Sequence, residues 1–128
     1  MRIGRAAGFT DTGRRRLRNE DAFICEPPLF AVADGMGGAR AGEVAARLAA
    51  GALEEEAGDE TRGEEGVKAL IVEANRRIWE RALADPTTAG MGTTVTAALV
   101  DAERGTVAIG HVGDSRAYLL RDGVLEQL

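Results

Sequence analysis

The sequence is poor in the residues that staple a fold, bind soft metals or cross a membrane. A single cysteine, Cys25, excludes an internal disulfide framework and fits a reducing compartment. A single histidine, His111, lies in a segment read as a strand, where a structural role is the simpler reading. Zinc sites and serine–histidine triads are disfavoured with it, and Ser115 has no evident base. No apolar run approaches the roughly 18 residues a membrane span needs. The N-terminus, Met1-Arg2-Ile3-Gly4-Arg5, leads into no apolar core of signal-peptide length. A basic excess is also missing: 16 Lys and Arg stand against 21 Asp and Glu, a net charge of −5, which argues against nucleic-acid binding by the molecule as a whole. These absences predict a cytoplasmic protein with no nucleic-acid partner and no membrane partner.

What is present suits one soluble globular domain: 128 residues, 45% apolar and 29% charged. Residues 3–10 read as an edge strand ending at Thr10-Asp11, and Asp11-Thr12-Gly13 is turn chemistry. Ala22-Phe23-Ile24-Cys25 and Leu29-Phe30-Ala31-Val32-Ala33 are two short apolar runs either side of Pro27-Pro28, which predicts a β-hairpin. Asp21 and Asp34 are equidistant from that turn, so a symmetric hairpin sets them on paired positions, with Cβ atoms roughly 4.5–5.5 Å apart if directly opposed. Facing like charges are destabilising unless neutralised, and a divalent cation is the simplest neutraliser. Arg14, Arg15 and Arg18 read as a solvated basic loop. Arg16, just ahead of the acids, reads as an anion-binding residue whose guanidinium can hold a phosphate in bidentate fashion.

Beyond the hairpin, Gly35, Gly37 and Gly38 let the backbone approach a ligand closely. Val44, Ala45, Leu48, Ala52 and Leu53 recur at helical spacing as far as about Ala57. After a polar loop, a second helix is predicted from about Glu65 to Ala84, with Val67, Leu70, Ile71, Ala74, Ile78 and Ala82 on one stripe and Pro86 as its stop. Trp79 borders that stripe and is assigned to the core. Residues 93–100, 106–112, 116–120 and 124–125 then read as an antiparallel meander with a hairpin turn at Asp122-Gly123. The count is about seven strands and one antiparallel helix pair, an α+β fold with an antiparallel sheet and helices gathered on a face.

Glu20, Asp21, Asp34 and Asp114 are acids at strand ends or tight turns. Oxygen-only donors beside glycine-exposed carbonyls suit Mg²⁺ or Mn²⁺. Taken alone, Asp114 reads as a turn residue, whereas Asp34, between an apolar strand and Gly35-Met36-Gly37-Gly38, reads as functional.

Four ordered blocks carry a family resemblance. They are Thr10-Asp11 with Gly13, running into Arg16-x-x-Asn19-Glu20-Asp21-Ala22; Val32-Ala33-Asp34-Gly35-Met36-Gly37-Gly38 with Ala41-Gly42-Glu43; Gly90-Met91-Gly92-Thr93-Thr94; and His111-Val112-Gly113-Asp114-Ser115-Arg116-Ala117-Tyr118-Leu119. With them the chain resembles the metal-dependent serine/threonine protein phosphatases, the PPM or type 2C family, in their bacterial form. The resemblance implies an antiparallel β-sandwich flanked by helices. It implies a two-metal centre of Mn²⁺ or Mg²⁺, in which Asp34 bridges the ions, the Gly35 carbonyl binds one, and Glu20 and Asp21 bind a metal or its waters. Arg16 would grip the substrate phosphate, and Asp114 would help bind a third, weaker metal. Met36 stands where some members carry a histidine proposed as general acid.

The implied activity is hydrolysis of phosphoserine and phosphothreonine in substrates of a Ser/Thr kinase. The family's catalytic domain continues past the Gly-Asp-Ser-Arg block and supplies two further metal-binding aspartates there. After Asp114 this sequence offers only Asp122 and Glu126, so residues 1–128 read as the N-terminal part of a single catalytic domain. The alternatives are a non-catalytic fragment that binds phosphoprotein or a partner chain, and a generic acidic Mg²⁺-binding module. A sandwich cut at this point predicts self-association through uncovered strand edges.

Overall fold

The computed structural model of the chain describes residues 1–38 and 40–128. The hairpin is present: β1 (Asp21–Glu26) and β2 (Leu29–Met36) are antiparallel, turn at Pro27-Pro28, and pair Asp21 with Asp34 in register. Two helices follow, α1 (Ala41–Glu56) and α2 (Gly63–Ala84), then a single 3-10 turn at Pro86–Thr88. The short β3 (Gly92–Thr93) pairs with the end of β2, and β4 (Val95–Asp101) and β5 (Thr106–Val112) extend the sheet in the order β1-β2-β4-β5. β6 (Tyr118–Arg121) and β7 (Val124–Gln127) form a separate two-stranded hairpin. The architecture is the expected α+β arrangement of an antiparallel sheet and two helices.

The period-2 alternation of the strands decides which face the helices cover. Ile24 of β1, Leu29, Ala31 and Ala33 of β2, and Val95, Ala97 and Leu99 of β4 are buried in one cluster with Val67, Leu70 and Ala74 of α2. Ala46, Ala49, Ala52 and Leu53 of α1 complete it. Burying each larger side chain contributes roughly 1.5–3 kcal/mol, while the fully buried alanines of α1 let that helix lie close on the sheet. Outside the core, Arg77 of α2 ties the helices together, reaching Glu73 on its own helix and Glu55 and Glu56 on α1.

Three expectations are corrected. Residues 3–10 form no strand: the segment passes Phe23, whose ring fills the space beside Gly8, but it pairs with no neighbour, and Phe9 is 87% exposed. Trp79 is 66% exposed. At 100° per residue it has turned away from its neighbour Ile78, which packs on the core. The C-terminal third is two hairpins rather than one meander, because the chain leaves the sheet at Gly113 and resumes pairing only at Tyr118. No described helix is long and apolar enough to cross a membrane.

Candidate metal and phosphate site

The open end of the β1–β2 hairpin brings Asp21 and Asp34 into one cavity of about 230 Å³, lined also by Phe9, Thr10, Phe23 and Ser115. The approach to β1 is set by Asn19: its amide nitrogen donates to the Thr10 hydroxyl at 2.7 Å, and its Oδ1 accepts from the Asp21 N–H at 3.0 Å. The Asp21 carboxyl is held above its ordinary range, first by partial burial, then by the negative charge of Asp34 and a hydrogen bond with it; Arg16 works in the opposite direction. Burial leads, and the facing carboxylate adds to it more than Arg16 takes away.

Asp34 is positioned from below by a residue 60 positions later. Its N–H donates to the Thr94 hydroxyl at 3.1 Å, and its carbonyl accepts from the Thr94 N–H at 2.9 Å. Thr94 is 2% exposed and shares a 2.6 Å hydrogen bond with the Ser115 hydroxyl. Gly113 makes room for this clamp: its φ of +101° favours glycine, and a Cβ there would lie 2.6 Å from the Thr94 methyl. His111 braces the same turn. Nε2 donates to the Gly113 carbonyl at 2.8 Å, which leaves Nδ1 to accept from the Thr96 hydroxyl at 3.0 Å. Its role is structural, as its strand position suggests.

Gly35 is pressed against the start of α1. Its N–H donates to the Glu20 carbonyl at 3.1 Å, and a Cβ would fall 1.9 Å from the Gly42 carbonyl oxygen. A Cβ on Gly42 would in turn meet the Glu20 side chain at 3.0 Å. Glu20 therefore sits at the junction of the loop before β1, the end of β2 and α1. Arg16 is exposed, with its guanidinium 3.9 Å from the Glu20 carboxylate.

Of the predicted site residues, the structure gathers Arg16, Glu20, Asp21, Asp34 and Gly35 around one strand end. Asp114, in the turn ahead of Ser115, is exposed and outside the cavity lining. Among the described residues no three His, Cys, Asp or Glu side chains converge as a metal site. In kind, the oxygen donors suit a hard divalent ion, and the repulsion between Asp21 and Asp34 would be relieved by one. In number, they form one side of a coordination shell. Thr94 and Ser115 were missed as positioning residues; both stand inside motif blocks visible in the sequence, but their contact joins two separate blocks.

A family model described as "Protein phosphatase 2C" matches residues 12–128. The chain is similar to the serine/threonine protein phosphatase PstP of Mycobacterium tuberculosis, with 43% identity over 126 residues, covering 97% of the chain and 24% of that protein. It is 41% identical over 131 residues to the serine/threonine phosphatase stp of Listeria monocytogenes, covering 93% of the chain and 51% of the relative. A crystal structure of the PstP catalytic domain in complex with two manganese ions superposes with a TM-score of 0.88 at 42% identity, over 97% of the chain and 54% of that structure. The chain thus spans about a quarter of the mycobacterial relative and about half of the listerial one.

Proposed function

The chain belongs to the protein phosphatase 2C family, and from that membership we propose that it forms the N-terminal part of a single catalytic domain that hydrolyses phosphoserine and phosphothreonine. The observation that carries the reading is the opposition of Asp21 and Asp34 at a strand end, with Arg16 beside them. Asp34, Asp21 and Glu20, with the Gly35 carbonyl, would hold Mn²⁺ or Mg²⁺, and Asp114 would contribute to a third, weaker ion. Bound there, such ions lower the pKa of a coordinated water and offset charge on the phosphoryl group. The chain's own residues do the rest. Arg16 engages two phosphate oxygens through its guanidinium. Thr94 fixes the Asp34 backbone, and Asn19 fixes that of Asp21, so the two carboxylates are aimed before substrate arrives.

The substrates fitting this reading are phosphoproteins made by a Ser/Thr kinase, and the compartment is the cytoplasm of a bacterium. Self-association through uncovered strand edges and sheet surface is part of the same proposal.

The test is Mn²⁺-dependent release of phosphate from a phosphothreonine peptide by the protein carrying this chain. Asp34→Ala should abolish it. Arg16→Ala should lower kcat/KM about ten- to a hundredfold, the equivalent of a charge-assisted hydrogen bond. Segment 1–128 by itself should bind Mn²⁺ weakly and turn over little, because its carboxylates supply one side of the shell. Full activity in excess chelator would overturn the metal reading.

A further inference from the structure

A second cavity, of about 600 Å³, lies on the flank of the α1 N-terminus and is lined by Arg18, Arg40, Ala41, Val44, Arg81, Asp85, Thr87 and Thr88. Three arginines against one acid give this lining a formal charge of +2 on a chain whose net charge is −5. Its single acid is already engaged: Asp85 Oδ1 accepts from both the N–H and the hydroxyl of Thr87, at 3.0 and 2.7 Å, and its other oxygen stands 3.6 Å from Arg81. Arg18 is only loosely held, 3.8 Å from Glu43, which has its tighter partner in Arg47 at 2.7 Å. The Arg40 carbonyl accepts from the Val44 N–H at 3.1 Å, but among the described residues its guanidinium has no ion-pair or hydrogen-bond partner. The first turn of α1 opens beside it without a side-chain cap, so the helix dipole adds to the positive field.

Several guanidinium groups with spare donors lining one cavity are the chemistry of phosphoryl recognition. The cavity also adjoins the candidate centre. Arg18 is two residues from Glu20, and Ala41 precedes Gly42, which packs against both Gly35 and Glu20. A peptide whose phosphoresidue occupies the first site would carry its neighbouring residues toward the second.

We propose that the Arg18–Arg40–Arg81 cavity binds a second phosphoryl group of the same peptide, making multiply phosphorylated segments the preferred substrates. This rests on the phosphatase reading for the first phosphate, while the second contact belongs to the arginines alone. Binding is measured by calorimetry, in Mn²⁺, with the protein carrying this chain. The probes are inorganic phosphate, a threonine peptide singly phosphorylated in the form of its non-hydrolysable phosphonate analogue, and a series of peptides doubly phosphorylated in that form, their phosphoryl groups separated by increasing numbers of residues. At the best spacing the doubly phosphorylated peptide should bind about tenfold tighter than the singly phosphorylated one, the effect of one further charge-assisted contact. Arg40→Glu and Arg81→Gln should each erase that preference and leave affinity for the singly phosphorylated peptide unchanged.

Equal affinities in the wild-type protein, or a preference that survives Arg40→Glu, would overturn the proposal. Inorganic phosphate binding that depends on Arg40 without any preference for the doubly phosphorylated peptide would also overturn it, in favour of a free-phosphate site. Failure of the underlying phosphatase reading looks different: the singly phosphorylated analogue would not be bound, and the phosphothreonine peptide would not be hydrolysed, in an Asp34-dependent way.

Discussion

Asp21 and Asp34 are each ordinary strand-end acids; their opposition is what carries chemical meaning. Because Asp21 is raised above its ordinary value of 3.8, the folded chain holds that proton more tightly than the unfolded one. Stability is therefore fully present below 3.8 and declines as the pH rises through the raised value. Removing one charge should help the metal-free protein: Asp21→Asn in chelator should raise stability at neutral pH by a few tenths to about 1 kcal/mol, the range for a cross-strand charge pair. Differential scanning calorimetry checks it, and a fall in Tm would remove the repulsion argument. Mn²⁺ should raise the Tm of wild type more than that of Asp21→Asn. Gly35 makes a second residue-scale case. Gly35→Ala places a methyl where the Gly42 carbonyl already lies, so α1 must shift, at a cost of about 1–3 kcal/mol or more, read as a lower urea midpoint.

At the scale of elements, the hairpin was legible in sequence because a short turn transmits register directly: a loop centred on Pro27-Pro28 leaves Asp21 no partner but Asp34. The helices were legible from their 3.6-residue stripes. Their mutual attachment was not, since Arg77 reaches back 21 and 22 residues to Glu56 and Glu55. Glu73, which accepts from Arg76 and Arg77, is pulled down from 4.5 to about 2. A lowered carboxyl contributes stability that is complete above 4.5 and is lost as the pH falls toward 2. Arg77→Met should therefore lower Tm at neutral pH and, because Arg76 still holds Glu73 down, flatten only part of the acid limb of the stability profile between those values, measured by pH-dependent thermal melts. An unchanged acid limb would deny the clamp its role. Trp79→Gln, on the outer face of α2, should change stability by no more than about 0.5 kcal/mol, as surface substitutions do.

For the whole molecule, surface area is the informative quantity. A compact monomer of 13.5 kDa exposes about 6,500 Å² by the usual scaling, whereas this chain exposes 8776 Å². The excess includes apolar surface: Phe23, Val32, Val107 and Ile109 on the sheet face away from the helices, and Leu120, Val124 and Leu125 on the detached hairpin, are all exposed. Patches of this kind associate. Sedimentation velocity on segment 1–128 should show concentration-dependent dimers or larger species, weakened by Val32→Lys. A clean monomer at high concentration would count against the association.

The sequence by itself determined the local features: the Asp21–Asp34 register, both helices, the Asp122-Gly123 turn and the ordered blocks that carry the family. Each depends on residues a few positions apart, where turn geometry and periodicity leave few alternatives. Only the tertiary structure decided the Thr94–Ser115 clamp beneath Asp34, the contact of Gly35 with Gly42, the unpaired N-terminal segment and the arginine cavity beside α1. These arise from packing among distant segments, for which spacing along the chain holds no information. The result is a candidate site whose proposed acids could be named from sequence, and whose supports and charged flank became visible only when the elements were assembled.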